Sequence, residues 1–346
     1  MGLLRLSGRA VGGAPAAWRD GARRVTAAPA VLFGTLGLTA AAALPAAVVV
    51  GAAIEADLGD SLMAGRMAEG VAWDWWQEFL ARTRGLGATF VPSIIGFAAP
   101  LRNLSDLADA AGPTPAVSAL LAVYLVAWLF VSGGLIDRFA RARRVGAYGF
   151  FGACGACWSR LLRLAVLAGA AHALLFGVVH GWLLEDLYGA LTRETIVERR
   201  AFAVRLGCYA LFAALVASVD ILFEYAKVRT VVEDRRSVLG ALAAAARFLR
   251  RHPGGAIALY GINLAALAAV LAVYALVAPG AGGLAWGLWG GFLVGQAYIL
   301  ARLWVKLVAL ASQVAFFQAR LAHAGYTALP VPARAEPPVI EALGRP

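Results

Sequence analysis

Long apolar stretches separated by short basic segments run along most of the chain. Six of these stretches hold about 20 or more mostly apolar residues, the number that a helix needs to cross about 30 Å of hydrocarbon. Each is predicted to be a helix, because lipid offers the backbone no hydrogen-bond partner and the alternating pattern of a barrel strand is missing. The predicted spans are residues 29–54, 115–136, 164–184, 201–223, 255–278 and 284–310.

The six spans predict an all-α fold, a polytopic bundle of transmembrane helices. Residues 1–326 are expected to form a single integral membrane domain, with its largest outer loop at residues 55–114. Residues 327–346 contain five prolines and no hydrophobic period, so they predict a disordered cytoplasmic tail. Composition agrees, since 61% of the residues are hydrophobic and 15% are charged, against about 45–50% and about 25% in soluble domains.

Lysine and arginine residues are concentrated on one side of the predicted spans. The segments before span 1, between spans 2 and 3, between spans 4 and 5, and after span 6 hold 21 of them, against seven on the opposite side. Because basic loops tend to stay in the cytoplasm, both termini are predicted to be cytoplasmic. The net charge is +11, but a chain this apolar is not predicted to bind nucleic acid.

The basic segments before spans 1, 3 and 5 resemble one another. Each runs from a glycine to an arginine eleven residues later, at residues 12–23, 152–163 and 240–251. The pattern predicts three repeated units, each made of an interfacial amphipathic helix followed by a helical hairpin. The alternative is that the segments are only the basic flanks that any multispan protein needs.

The third of these segments has the clearest helical pattern. Ser237 is a favourable N-cap, and apolar residues then recur at helical spacing. Three arginines beside that face are candidates to meet lipid headgroups or a protein partner. The predicted apolar face is Leu239, Leu242, Ala246 and Leu249, and the arginines are Arg247, Arg250 and Arg251.

The first outer loop is the only one long enough to hold structure of its own. Residues 61–84 carry apolar side chains every three or four positions and predict one amphipathic helix. Within it, Trp73, Trp75 and Trp76 are predicted to anchor the helix at the membrane surface, with a ligand-stacking platform as the alternative. Residues 86–101 are apolar, short and interrupted by two prolines, which predicts a re-entrant segment or a lid on the bundle.

Charged residues inside the spans are few and lie near the ends of the spans. Asp220, Glu224 and Lys227 share one helical face at the end of span 4, while Arg302 and Lys306 lie at the end of span 6. These five residues form the candidate polar cluster. It is interpreted either as a gate or ion relay, or as snorkelling side chains with a salt bridge that locks two helices.

Motifs for catalysis or metal binding are missing from the sequence. His172 and His180 are eight residues apart, about 12 Å along a helix, so they cannot share one metal ion. Cys154 and Cys157 match a C-x-x-C pattern, but no second pair completes a zinc site, and packing of small residues explains them better. Without a P-loop, zinc-protease or serine-hydrolase motif, we predict no enzymatic activity, no cofactor and no metal.

Residues 224–253, with the sequence EYAKVRTVVEDRRSVLGALAAAARFLRRHP, resemble a cytoplasmic helix of certain uncharacterised bacterial six-span membrane proteins. That group is similar to the membrane domain of some glycerophosphodiester phosphodiesterases. The resemblance covers these residues and the number of spans. It implies a multi-pass protein of the bacterial inner membrane and implies no catalytic residue.

Three function classes follow from these patterns. A membrane scaffold or envelope-organising protein explains the interfacial helices, the tryptophan anchors and the scarcity of charge inside the spans. A transporter or permease subunit working with a cytoplasmic ATPase explains the span number, but a coupling motif and a midplane charge are missing. An enzyme acting on lipids ranks third. The expected partners are anionic lipid headgroups on the cytoplasmic side and a membrane or cytoplasmic protein.

Overall fold

In the computed structural model, the described part of the chain folds into helices joined by short connections. No strand occurs in the part of the chain that it describes, which confirms the predicted all-α class. The tail predicted at residues 327–346 lies outside the described residues, as do residues 92–97 of the predicted re-entrant segment. The described residues are 13–59, 61–69, 72–91, 98–141, 146–278 and 287–320.

Eleven helices follow one another along the described chain. Proline occupies the first turn of several of them, where its missing N–H costs no intrahelical hydrogen bond. In chain order the helices are α1 (Ala14–Thr26), α2 (Pro29–Leu58), α3 (Met63–Glu69), α4 (Trp73–Arg82), α5 (Ala98–Ala108), α6 (Pro115–Ala140), α7 (Ala147–Thr192), α8 (Glu198–Val232), α9 (Val238–Arg251), α10 (Pro253–Val277) and α11 (Gly287–Arg320).

Six helices are long and apolar enough to cross a membrane, namely α2, α6, α7, α8, α10 and α11. Each overlaps one of the six predicted spans, and the protein is therefore an integral multi-pass membrane protein. Helix α8 continues nine residues past the predicted end of its span, and α11 continues ten. Hydropathy misses these extensions because charged and polar residues interrupt them. Their apolar side chains pack against protein.

The spans form two layers. The inner helices α6, α8 and α11 contact one another, and each is the second helix of a hairpin. The outer helices are the first ones: α2 packs between α6 and α11, α7 packs on α6 and α8, and α10 packs on α11. This arrangement follows the order expected for three repeated hairpin units.

The largest buried core lies at one end of the bundle, which we call the basic end. There α1 packs on α11, α7 on α6, and α9 on α8, so that each unit begins on the last span of another unit. We call α1, α9 and the basic-end turns of α6, α7, α8 and α11 the basic collar. In α11, more than half of the residues in the most apolar stretch are buried inside the protein. In α2, none of the residues in the corresponding stretch is buried.

This difference has a physical cause. Inside the bilayer, lipid chains are as apolar as leucine, so apolar side chains gain little from leaving lipid for protein. Beyond the bilayer, water drives apolar faces together. The core therefore forms where the helices leave the lipid, at the collar.

The second unit differs from the prediction. Its basic segment does not form a separate interfacial helix, because α7 runs without a break from Ala147 to Thr192. Pro29 and Pro253 begin the spans of the first and third units, and proline restricts the residue before it to non-helical conformations. The segment before Leu164 has no proline, so the helix continues into the span.

The outer loop also differs from the prediction of one helix over residues 61–84. Two helices occur there, α3 and α4, with residues 70 and 71 between them outside the described part. Helix α4 packs on the end of α2 in a small separate cluster of aromatic side chains. Helix α5 follows, and the carbonyl of Ala108 at its end accepts a hydrogen bond from His180 Nε2 at 2.8 Å.

Candidate functional site

The charged face of α8 lies close to the boundary between the spans and the basic collar. Asp220, Glu224 and Lys227 follow one another at spacings of four and three residues, which places them on one side of the helix. Directly after Glu224, α8 becomes buried, beginning at Tyr225. The cluster therefore lies where the helix passes from lipid into the collar.

Asp220 pairs with His172 of α7 and not with a cation of α11. The Nε2 of His172 lies 3.0 Å from Oδ1 of Asp220, and its Nδ1 lies 2.8 Å from the carbonyl oxygen of Ala168. Both neighbours of the imidazole ring are hydrogen-bond acceptors, so the ring is held between Asp220 on α8 and the backbone of its own helix. Asp220 therefore does not form the salt bridge between spans 4 and 6 that the sequence offered as one interpretation.

The other predicted cluster residues divide between an ion pair and aromatic contacts. Lys227 Nζ lies 2.6 Å from Glu224 Oε1. Lys306 Nζ lies 3.4 Å from the centroid of the Trp128 ring, and it is within electrostatic range of Glu224 and Lys227. Arg302 lies over the ring of Tyr298, with 5.4 Å between Cζ and the ring centroid.

A double-mutant cycle on His172 and Asp220 tests this pairing. We expect His172→Gln and Asp220→Asn each to lower the free energy of unfolding, and the double variant to lose less than the sum by about 0.5–1 kcal/mol. Both side chains are partly exposed, which keeps the expected coupling small. Unfolding in detergent measures the three variants. A coupling of the same size between Asp220 and Lys306 would contradict the pairing described here.

Two of the three candidate anchor tryptophans are buried inside the outer loop. The Nε1 of Trp75 donates to Asp57 Oδ2 at 2.8 Å, and that of Trp76 donates to the carbonyl of Phe90 at 2.6 Å. Only Trp73 is exposed, with 55% of its surface accessible. Trp75 and Trp76 therefore hold α4 against α2 and Phe90, and a role at the membrane surface remains a prediction for Trp73.

The amphipathic helix α9 begins as predicted, because Ser237 Oγ accepts a hydrogen bond from the backbone N–H of Gly240 at 3.1 Å. Its buried face is one residue out of phase with the predicted one. Leu239 is 70% exposed. Small alanines let the helix approach α8 closely on the face that carries Val238 and Phe248, and this contact decides the phase. The buried residues are Val238, Ala241, Ala244, Ala245 and Phe248.

Arg247, Arg250 and Arg251 are all exposed on the surface of α9. His252 follows them at the join to α10. Burial lowers the pKa of His252, and the nearby charges of Arg320 and Arg251 lower it further. His252 is therefore neutral at pH 7, and the exposed charge of α9 comes from its three arginines.

Two buried ion pairs lie inside the basic collar. The carboxylate of Asp137 accepts two hydrogen bonds from Arg141, at 2.7 and 2.9 Å. Arg229 contacts Glu233 at 3.3 Å and lies over the ring of Phe317. Buried pairs of this kind cost several kcal/mol when one partner is removed, so they contribute to a unique collar structure.

The C-x-x-C cysteines contribute to packing between α6 and α7. Cys154 and Cys157 are buried, and a Cβ atom at Gly134 would lie 2.6 Å from the sulfur of Cys154. The glycine thus permits the close approach of the two helices. Within the described residues, no group of three His, Cys, Asp or Glu side chains is placed to hold a metal ion.

Sequence reasoning found the charged residues of the cluster but not their neighbours. The pairing of His172 with Asp220 and the contact of Lys306 with Trp128 join residues that are far apart in sequence. One signal was present, since aromatic and basic residues recur at the predicted cytoplasmic ends of the spans. Hydropathy gives the depth of these side chains but not which helices are neighbours.

Comparisons with protein-family models, with curated proteins and with solved structures found no match to this chain. The resemblance of residues 224–253 to a group of bacterial six-span proteins therefore stays a prediction.

Proposed function

We propose that this protein is a scaffold of the bacterial inner membrane, with both termini in the cytoplasm. The proposal is carried by the position of the core: the basic collar is closely packed, whereas the spans are largely exposed to lipid. A collar of this kind presents a rigid surface to a protein partner, and the spans hold it at the membrane. The distribution of Lys and Arg favours a cytoplasmic position for the collar.

The exposed side of α9 is the surface that we assign to the partner. Arg247, Arg250 and Arg251 lie within one helical turn, and no ion pair engages them among the described residues. Unpaired arginines on a rigid helix attract and orient an acidic protein surface. The partner is therefore expected to be a membrane or cytoplasmic protein with an acidic face.

The experiment is quantitative mass spectrometry of the tagged protein, purified from native membranes in mild detergent. We expect specific proteins to co-purify at constant stoichiometry. The triple variant Arg247→Gln, Arg250→Gln, Arg251→Gln should lower their recovery about ten-fold, because each exposed charge contributes about 0.5 kcal/mol to such a contact.

A matched variant controls for the loss of charge. Arg193→Gln, Arg199→Gln and Arg200→Gln remove three exposed arginines at the opposite end of the bundle and should leave recovery unchanged. Equal recovery from both triple variants would refute the assignment to α9. A nucleotide-hydrolysing protein recovered at one copy per chain would overturn the scaffold proposal and indicate a permease subunit.

A further inference from the structure

A boundary between lipid-facing and collar-packed residues crosses α11 near Arg302. Before this point Trp289 and Phe292 are exposed, and after it Leu303 and Leu307 are buried. Exposed apolar rings are stable in hydrocarbon, whereas the buried residues belong to the collar. Arg302 therefore lies at the level of the lipid headgroups, the usual depth of basic and aromatic side chains that flank a span.

Aromatic rings surround the two cations of α11. Lys306 Nζ lies 3.4 Å from the ring centroid of Trp128 and 5.3 Å from that of Tyr124. Arg302 Cζ lies 5.4 Å from the ring centroid of Tyr298. Contacts with ring faces hold a cation in position but leave its charge unneutralised. The positive charges of Arg302 and Lys306 are thus ordered and still available to an anion.

Asp220 and Glu224 of the facing helix α8 form no ion pair with these cations, although Glu224 lies within electrostatic range of Lys306. Asp220 pairs with His172 at 3.0 Å, and Glu224 pairs with Lys227 at 2.6 Å. Among the described residues, no carboxylate forms an ion pair with Arg302 or Lys306, and both side chains are exposed. The pair therefore differs from Arg141 and Arg229 of the collar core, which have carboxylate partners.

We propose that Arg302 and Lys306 bind the phosphate group of an anionic phospholipid in the leaflet at the basic end. The two residues are one helical turn apart, so their side chains lie on the same side of α11, about 6 Å apart at Cβ. This spacing suits one phosphodiester held between a guanidinium and an ammonium group. The lipid chains extend from there along the exposed apolar surface of α11. The site is separate from the protein-binding arginines of α9, and it stands whether or not the scaffold proposal is correct.

Native mass spectrometry of the full chain with added lipid tests the proposal. The probes are phosphatidylglycerol, phosphatidylcholine and inorganic phosphate, each titrated separately. We expect phosphatidylglycerol to bind more tightly than phosphatidylcholine. The single variants Lys306→Gln and Arg302→Gln should each weaken phosphatidylglycerol binding about five-fold, and the double variant about 25-fold.

Arg205→Gln is the control, because Arg205 is also an exposed cation beside tyrosine rings but lies at the opposite end of α8. The Arg205→Gln variant should bind its first phosphatidylglycerol molecule with a dissociation constant within two-fold of that of the unmodified protein. An equal loss in Arg205→Gln and the double variant would refute a specific site. Displacement of the lipid by millimolar inorganic phosphate would overturn the assignment to a lipid and indicate a site for free anions. Thermal unfolding of the variants, expected to be unchanged, separates lost binding from lost structure.

Discussion

Replacing Gly21 by leucine should detach α1 from α11 and lower the free energy of unfolding by about 3 kcal/mol, the upper part of the range for overpacking. The residues of α1 that face α11 are Ala14, Ala17, Gly21 and Val25. A Cβ atom at Gly21 would lie 2.5 Å from the backbone nitrogen of Ser312. Backbone cannot rotate away as a side chain can, so the helices must separate.

The measurements are the melting temperature in detergent and the rate of tryptic cleavage after Arg19, Arg23 and Arg24. Gly37→Leu in α2 is the control, because no atom lies within 4 Å of a Cβ placed at Gly37. It should be neutral or stabilise the helix by up to about 1 kcal/mol, since glycine is a poor helix former. Equal melting temperatures and cleavage rates for the two variants would contradict the close contact between α1 and α11.

Replacing Trp76 by alanine should unfold the outer loop while the basic collar remains folded. The Trp76 side chain is 1% exposed and stacks on Phe90, with 4.7 Å between the ring centroids. Truncating a buried tryptophan removes its packing and leaves a cavity, which costs about 3–5 kcal/mol. The aromatic cluster is small and separate from the collar, so this loss exceeds what the remaining contacts of the loop supply.

Hydrogen exchange of residues 72–91 and proteolysis at Arg82 measure the effect. Trp73→Ala is the matched control on the same helix. Because Trp73 is exposed, this substitution should leave the protection of the backbone amides against hydrogen exchange almost unchanged. If both variants exchanged at the same rate, the three tryptophans would act alike. Their original interpretation as three surface anchors would then replace the packed cluster.

The sequence alone was sufficient for the number and the approximate limits of the spans. In lipid, an apolar stretch of that length folds as a helix, because a helix pairs its own backbone N–H and C=O groups. Local signals also marked helix starts: Pro29 and Pro115 lie in the first turn of their helices, and Ser237 caps α9. These features depend on residues close together in the chain and on the solvent.

The phase of α9 and the partner of Asp220 depended on contacts distant in sequence. The sequence of α9 offers leucines on one face and alanines beside them, so hydrophobicity does not distinguish the two faces. Its close contact with α8 buries Ala241 and Ala245 and leaves Leu239 exposed. The cations of α11 lie at about the same depth in the membrane as Asp220 and were possible partners. Instead, α7 places Nε2 of His172 3.0 Å from Oδ1 of Asp220.

Repetition in the sequence predicted three similar units, but only the tertiary structure decided how they join. Each unit begins on the last span of another unit, so that α1 at the start of the described chain packs on α11 at its end. The packing of the first helix on the last one requires close steric fit between Gly21 and Ser312, which are 291 positions apart in the sequence. Hydropathy places each helix in lipid or water one at a time, whereas neighbouring helices are selected by steric fit and by pairing of charges, which depend on all of them together.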